Sequence, residues 1–274
     1  MGTRTTQSTN LKQAIANYVA ALWSRREFAW YMAMGNLRAR NASTSLGLLW
    51  WVVNPLLQGA VYYLVFGVIL GISRDLSHLL SGIFVFYYTS TSITTGANSI
   101  IQNRSLLVNL NFPRLILPVT AITEAGVGFL TSIPALFVII GTTQGVWPTT
   151  QLLWLFPVIF VVQSLFNLGL ATLTARITVP FRDVTNLLPH LLRVWFYMSP
   201  ILYAVSRYEG LSDTAQSLFL LNPMVPLLSV YRSALLGTTF VPRDLMFASA
   251  WGFGVAAFAI IVFVKYEGKM ARYL

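Results

Sequence analysis

Six long apolar stretches, almost free of charge, constrain this chain more than any other feature. They lie at residues 46–72, 79–101, 115–141, 151–175, 184–206 and 245–264. Each has about 20 residues or more, the length that a helix needs to cross about 30 Å of hydrocarbon. Backbone in lipid must satisfy its own hydrogen bonds, and the stretches lack the alternating pattern of barrel strands. We therefore predict an all-α membrane protein with six transmembrane helices.

The basic residues predict the orientation in the membrane. The termini and alternate connections carry most of them, namely Arg4, Lys12, Arg25, Arg26, Arg38, Arg40, Arg104, Arg114, Arg176, Arg182, Lys265, Lys269 and Arg272. The other connections carry only Arg74, Arg207, Arg232 and Arg243. Short loops rich in Lys and Arg stay in the cytoplasm, so both termini are predicted to be cytoplasmic. The net charge of +10 would then face anionic lipids of the inner leaflet and not nucleic acid.

The chain divides into a cytoplasmic N-terminal segment at 1–45, a transmembrane domain at 46–266 and a cytoplasmic tail at 267–274. Residues 25–40 place Phe28, Tyr31 and Met32 among arginines, a pattern that predicts an amphipathic helix in the headgroup plane. An ordinary juxtamembrane anchor is the alternative. We also predict that residues 212–238, which are apolar but broken by proline, form a re-entrant helical hairpin before the last span. An interfacial hairpin that only caps the bundle is the alternative there.

No catalytic or metal-binding group is predicted in this chain. It has no cysteine, and only two of its eight acidic residues, Glu209 and Asp213, lie within one helical turn of each other. A P-loop requires Gly-x-x-x-x-Gly-Lys-Ser/Thr, and the only Gly-Lys pair, Gly268-Lys269, is followed by Met270. We therefore expect a chain without enzymatic activity and without a cofactor of its own.

Several short motifs occur in a fixed order along this six-span frame. They are Asn36-Leu37-Arg38-Ala39-Arg40, Ser45-Leu46-Gly47-Leu48-Leu49-Trp50, Asn54-Pro55-Leu56-Leu57, Asn111-Phe112-Pro113-Arg114, Phe181-Arg182-Asp183, Ser199-Pro200-Ile201-Leu202-Tyr203, and Leu221-Asn222-Pro223 with Arg232. In these motifs the chain resembles the permease subunit of polysaccharide-exporting ABC transporters of the O-antigen, teichoic-acid and galactan export type. The resemblance covers about residues 25–265. The chain departs from the pattern in its neutral segment 41–44 and in Arg193.

This resemblance implies a homodimer in the bacterial inner membrane that binds two copies of a separate ABC ATPase. ATP and magnesium would be bound by the ATPase, and the substrate would be a polysaccharide linked to polyprenyl pyrophosphate. Segment 103–114 would form a coupling helix against the ATPase. The coupling residues would be Arg104, Leu106, Leu107, Leu110, Phe112, Pro113, Arg182 and Asp183. Taken alone, the leucines of this segment could equally dip back into the membrane interface.

Aromatic rings suit a polysaccharide channel because they stack on sugar rings without demanding an exact register. The predicted channel residues are Trp50, Trp51, Tyr62, Tyr63, Phe196 and Tyr203, together with Arg193. Aromatic belts at the membrane interface are the alternative. Arg38 and Arg40 are candidates for binding the lipid phosphates, with simple anchoring to anionic lipids as the alternative.

The two charges inside the spans, Glu124 and Arg193, lie at equal depth, about 14 Å from the cytoplasmic ends of their helices by the helical rise. A charge at that depth usually pairs or faces water, so we predict a buried ion pair between them, either a static brace or a gate. Two other functions stay open: an ion-coupled small-solute transporter with Glu124 as a relay, and a polytopic membrane glycosyltransferase. Co-purification of an ATPase would separate these from an exporter permease.

Overall fold

A computed structural model describes residues 11–42, 44–69, 75–109, 112–145, 147–203 and 221–270, and in these residues the regular structure is helical. The N-terminal helices are α1 (Leu11–Ser24), α2 (Arg26–Ala42) and α3 (Trp50–Tyr62), which continues as a π-helical stretch to Ile69. The long helices are α4 (Leu76–Gln102), α6 (Ile116–Gln144), α7 (Thr150–Thr178) and α10 (Pro242–Met270). The shorter ones are α5 (Arg104–Asn109), α8 (Val184–Met198) and α9 (Met224–Leu236).

Helix α4 lies at the centre of the bundle. It packs against α6 and α7 along its length and also contacts α3, α8 and α9, while α10 packs against α7 on the side away from α4. One face of α4 is joined to α7 by hydrogen bonds from Tyr88 to Ser164 (2.8 Å), from Gln163 to Val85 and Thr89 (3.0 and 2.9 Å), and from Asn167 to Ser92 (3.3 Å). We call these contacts the polar ladder.

In the described residues the regular structure is helical, as predicted. The six predicted spans differ, however, in the length and apolarity of their helices. Within the described part of the chain, four helices have the length and apolarity to cross a membrane: Gly47–Ile69, Ile116–Gln144, Thr150–Thr178 and Pro242–Glu267. Helix α4 has 27 residues, about 40 Å at the helical rise, but its second half is rich in Ser and Thr. The count of six spans therefore stays a prediction.

The predicted fifth span at 184–206 is interrupted. Helix α8 ends at Met198 after 15 residues, about 22 Å, which is short of the hydrocarbon thickness. Ser199 precedes Pro200 and has the extended backbone (φ −96°, ψ 148°) that a following proline favours. Pro200 favours an end to the helix there, because it cannot donate a backbone hydrogen bond and it disfavours helical backbone at the residue before it.

Of the predicted outer hairpin at 212–238, residues 212–220 lie outside the described part of the chain. Helix α9, its second arm, is buried almost all round, with Tyr231 and Leu235 fully inaccessible. Its 13 residues reach only about 20 Å, so it packs into the bundle without crossing a membrane. The re-entrant hairpin as a whole stays a prediction.

The predicted amphipathic segment 25–40 coincides with α2, which packs against α6. Its buried face is made of Ala29, Ala33 and Leu37, at four-residue spacing. Trp30 and Tyr31 are exposed instead, because the small alanines allow α2 and α6 to approach closely.

Glycines set the distance between α7 and α10. A Cβ atom at Gly169 would lie 2.7 Å from the backbone of Val255, whereas one at Gly254 would meet nothing within 4 Å. Gly169→Ala should therefore lower the free energy of unfolding by about 1–3 kcal/mol through overpacking, and Gly254→Ala should not lower it. Unfolding of the two variants in detergent, followed by circular dichroism, tests this. Equal stabilities would show that the helices are not in close contact.

Asp75 caps the N-terminus of α4. Its Oδ1 accepts hydrogen bonds from the amide (2.9 Å) and hydroxyl (2.5 Å) of Ser77, and that amide also donates to Gln144 at the end of α6. Partial burial alone would raise the pKa of Asp75, but the bonds from Ser77 outweigh it and hold the pKa below the ordinary 3.8. The cap therefore favours the charged form.

Asp75→Ala should cost about 1 kcal/mol of unfolding free energy at neutral pH, and Asp75→Asn should cost less because Asn also caps helices. A lowered pKa in the folded state stabilises above pH 3.8, and this contribution is lost as the pH falls through the folded pKa. The difference between wild type and Asp75→Asn should therefore shrink on acidification. Denaturant titrations at several pH values measure it, and a difference independent of pH would contradict it.

Candidate functional site

A row of polar side chains on the face of α4 turned away from α7 lines three adjoining cavities. The inner cavity, about 390 Å³, lies between α2, α4 and α6 and includes Asn36, Asn98 and Glu124. The middle cavity, about 340 Å³, lies between α3, α4 and α8 and includes Gln58 and Arg193. The front cavity, about 360 Å³, is lined by Trp50, Trp51, Asn54 and α4. Thr94 lines all three, so the cavities adjoin at this residue, and together we call them the α4 groove.

The polar side chains of α4 direct their donors back to their own helix. Ser90 donates to the Tyr87 carbonyl (3.1 Å), Thr94 to the Ser90 carbonyl (2.9 Å) and Asn98 to the Thr94 carbonyl (2.9 Å). These bonds satisfy the donors where water is scarce. The hydroxyl oxygens still have lone pairs, so this wall of the groove presents mainly hydrogen-bond acceptors.

Aromatic rings form the opposite wall of the groove. Tyr62 on α3 stacks on Phe196 of α8 with ring centroids 5.2 Å apart and an interplanar angle of 19°. The Tyr62 hydroxyl donates to the Tyr197 hydroxyl at 3.2 Å, and Phe86 of α4 meets Phe196 edge-on. This cluster connects α3 and α8 across the middle cavity.

The structure brings five of the predicted channel residues into the groove and leaves two outside the cavities. Trp50 and Trp51 line the front cavity, and Tyr62, Arg193 and Phe196 line the middle one. Trp51 is neither a belt residue nor fully open to the groove, because it is only 6% exposed and its ring covers Gly128 of α6. Tyr63 is exposed on the outer side of α3, and Tyr203 donates a hydrogen bond to the Tyr197 carbonyl (3.1 Å).

Glu124 and Arg193 line different cavities. Glu124, only 3% exposed, faces the inner cavity from α6, whereas the exposed Arg193 lines the middle cavity from α8. Equal depth in the sequence suggested a pair, but depth does not specify which face of α4 each helix approaches. The ion pair between them stays a prediction.

The predicted coupling segment is covered by the chain itself. Leu106 and Leu107 of α5 are half-buried against a cluster that contains Phe112 and Ala29. Phe112 is 8% exposed, and its ring lies 5.6 Å from that of Phe28. These side chains therefore pack in part against neighbouring helices of the same chain, and the coupling role of the segment stays a prediction.

The other coupling candidates are placed differently. Arg104, Arg182 and Asp183 are exposed, and Pro113 is half-buried. Leu110 lies outside the described residues. Beside Arg182, the ring of Phe181 is 67% exposed at the turn between α7 and α8. In the sequence, Phe181 stands out only as part of the motif Phe181-Arg182-Asp183. An aromatic residue in a polar turn is the signal that could have identified it.

One end of the bundle is closed by a polar cluster that the sequence did not reveal. The Arg114 amide donates to the Glu267 carboxylate (3.0 Å), its guanidinium donates to the Glu267 carbonyl (2.8 Å), and Arg176 stacks over Tyr266 at 4.3 Å. Burial and the nearby Glu267 carboxylate raise the pKa of Tyr18, whose hydroxyl accepts a bond from the Leu115 amide. These contacts fix α1, α6, α7 and α10 at this basic end. Arg38 is exposed, and the side chain of Arg40 is outside the described part.

At the opposite end two of the sequence motifs converge on the terminus of α8. Asn222 accepts hydrogen bonds from the Trp195 indole (2.9 Å) and donates to the Met198 carbonyl (3.1 Å). Arg232, 6% exposed, donates to the carbonyls of Pro200 (2.7 Å) and His78 (3.3 Å). Carbonyls released by the end of α8 are satisfied in this way. The sequence signalled these residues as motifs but not as one unit.

Comparison with known proteins is consistent with a membrane transport role. The model of the family described as ABC-2 type transporter matches residues 28–236, which include the whole α4 groove. The O-antigen export system permease protein RfbA of Myxococcus xanthus is 34% identical over 218 residues, which cover 78% of this chain and 82% of that protein. A protein of the same name from Klebsiella pneumoniae is 25% identical over 241 residues, or 87% and 92% of the two chains. With its apolar helices, the chain is therefore a multi-pass membrane protein.

Proposed function

The chain belongs to the ABC-2 type transporter family, and we propose that it is the transmembrane channel subunit of an ATP-driven polysaccharide exporter. Its substrate would be a lipid-linked polysaccharide, moved from the cytoplasmic to the outer side of a bacterial inner membrane. Both termini would be cytoplasmic, with the basic end of the bundle facing anionic lipids there. Exposed Arg38, and Arg40 by its sequence position, are our candidates for meeting the lipid phosphates.

The observation that carries this proposal is the α4 groove. A polysaccharide is polar and must slide, so its path requires hydrogen-bonding groups that are satisfied when no sugar is present. The α4 wall meets this requirement because its hydroxyl donors are bonded to the helix while their oxygens still accept bonds. Phe196 is buried under Tyr62, so the partly exposed ring of Trp50 in the front cavity is our candidate for stacking on the apolar face of a sugar ring.

We propose that a second copy of the chain closes the groove. Helices α3 and α8 flank the middle cavity, and their outward side chains, including Leu57, Val61 and Val194, are exposed and apolar. A homodimer that apposes the two grooves would convert two open half-channels into one enclosed path.

Two copies of a separate ABC ATPase, which would bind ATP and magnesium, are proposed to drive the channel from the basic end. Phe181, Arg182, Asp183 and Arg104 are the exposed groups available there. We propose that the leucines of α5 act inside the permease. Movement of α5 would be transmitted through the contact between Phe112 and Phe28 to α2, and through the shared cluster to α6.

Thr94 gives the most direct test of the path because it lines all three cavities. Thr94→Phe should reduce surface polysaccharide to a small fraction of the wild-type amount, since a ring would fill the junction of the groove. Lipid-linked polymer should accumulate inside the cell. Immunoblots of surface and intracellular glycan in a strain that lacks the native copy measure both.

Thr142→Phe provides the matched control, because Thr142 is exposed near the other end of α6 and lines none of these cavities. It should export normally. Thr94→Ala should also export, since it leaves the groove open. Normal export by Thr94→Phe at an equal membrane level would remove the α4 groove from the path.

Phe181 tests the ATPase contact. Phe181→Ala should weaken co-purification of the ATPase and reduce export, because a buried aromatic anchor commonly contributes 2 kcal/mol or more, about 30-fold in affinity. The permease itself should remain stable, since Phe181 is largely exposed. Phe247→Ala, at the exposed outer part of α10, is the control and should leave co-purification unchanged. Retained ATPase binding by Phe181→Ala would exclude this turn from the interface.

A further inference from the structure

Arg193 is a cation with an exposed side chain in the middle of α8, the helix that begins the predicted fifth span. It lies nine residues after the start of α8 at Val184, about 14 Å along the axis, between Leu192 and Val194. Its side chain lines the middle cavity with Gln58, Tyr62 and Thr91. A charge at such a position is costly unless it pairs or faces a water-filled cavity, and it usually marks an ion or substrate pathway.

The middle cavity contains no carboxylate among its described lining residues. Its walls are formed by aromatic, hydroxyl and amide side chains and by apolar residues of α8. The acidic residue of the groove, Glu124, lines the inner cavity instead. The middle cavity therefore has positive charge, and its remaining polar groups are neutral.

A guanidinium group that faces an open cavity is well suited to bind a phosphate group. Its planar fork donates two parallel hydrogen bonds to a phosphate or pyrophosphate, and the pair is stronger where water is scarce. Gln58, whose side-chain amide can also donate hydrogen bonds, lines the same cavity. The α4 wall offers acceptors for neutral sugar hydroxyls, so the donors of Arg193 are complementary to the anionic part of a substrate.

We propose that Arg193 binds the pyrophosphate that links the lipid carrier to the saccharide, as the head group passes the middle cavity. This inference rests on the proposed function. In the proposed homodimer, two copies of Arg193 would border the enclosed path. Rings of basic side chains select anions and phosphates in other membrane pores.

The other side of α8 favours the lipid carrier over a phosphate inside the glycan. There a cavity of about 320 Å³ has wholly apolar exposed walls, lined by Leu188, Leu191 and Trp195 of α8 and by α7 and α10. Leu192 lines both this cavity and the middle one. If the pyrophosphate were bound at Arg193, the isoprenoid chain could therefore lie in the apolar cavity on the other side of α8.

The test uses the full-length permease with its ATPase in detergent, without magnesium, and radiolabelled farnesyl pyrophosphate as the probe. Arg193→Gln should weaken binding about 10- to 100-fold, the range for losing a hydrogen bond to a charged group. Arg193→Lys should bind more tightly than Arg193→Gln but less tightly than wild type, because it keeps the charge and loses the fork. Arg243→Gln removes an exposed arginine at the start of α10 and should bind as wild type does.

Several outcomes would overturn the proposal. Equal affinity of wild type and Arg193→Gln, or binding of farnesol as tight as that of farnesyl pyrophosphate, would show that Arg193 does not bind the anion. Equal, Arg193-dependent binding of glucose 1-phosphate would assign the site to a phosphate within the glycan and reject the carrier. If Arg193→Gln does not fold, the affinity of Arg193→Lys for farnesyl pyrophosphate is compared with that of wild type instead. Equal affinities would reject the proposed pair of hydrogen bonds from the Arg193 guanidinium.

Export measured in cells separates this inference from the proposed function. If deletion of the chain abolishes surface polysaccharide while wild-type complex fails to bind farnesyl pyrophosphate, the exporter assignment holds and the Arg193 site is wrong. If deletion leaves surface polysaccharide unchanged, the proposed function itself fails.

Discussion

The polar ladder between α4 and α7 is the interaction on which the remaining structure depends. In a bilayer, lipid tails are as apolar as leucine, so helix association relies on close packing and on hydrogen bonds between helices. Gln163 and Asn167 supply such bonds to α4, and Gly96 allows α7 to approach at Ala171. Once this face is fixed, the remaining polar face of α4 must point away from α7. The groove is therefore a consequence of how α4 is held.

The two ends of the bundle connect that groove to the rest of the molecule. At the basic end, Arg114, Glu267 and Tyr18 fix α1, α6 and α10, while the leucines of α5 pack against the cluster that contains Ala29 of α2. At the other end, Asn222 and Arg232 hold the terminus of α8 through carbonyl groups. Helix α8, which contains Arg193, therefore has a fixed outer end and an exposed turn at its inner end. In the proposed mechanism, a movement that begins at the basic end would displace α8.

The positions of Glu124 and Arg193 show which features of the site can be predicted from the sequence. Hydropathy located both charges inside apolar stretches, and that placement holds. Depth along a helix follows from residue count, but the partner of a side chain depends on which helices are neighbours. Here α6 and α8 contact different parts of α4, so one groove contains an acidic and a basic position in separate cavities. The leucines of α5 were likewise identified, but only packing showed that α2 covers part of their surface.

The sequence alone determined the helical class, the membrane setting, the amphipathic N-terminal helix and the motifs that indicate an exporter permease. It did so because apolar length, charge placement and short motifs are local properties of the chain. Tertiary structure decided that Trp51 is buried on Gly128 and that the polar residues of α4 face a common groove. These depend on helix rotation and neighbours, which are set by packing between residues far apart in the sequence.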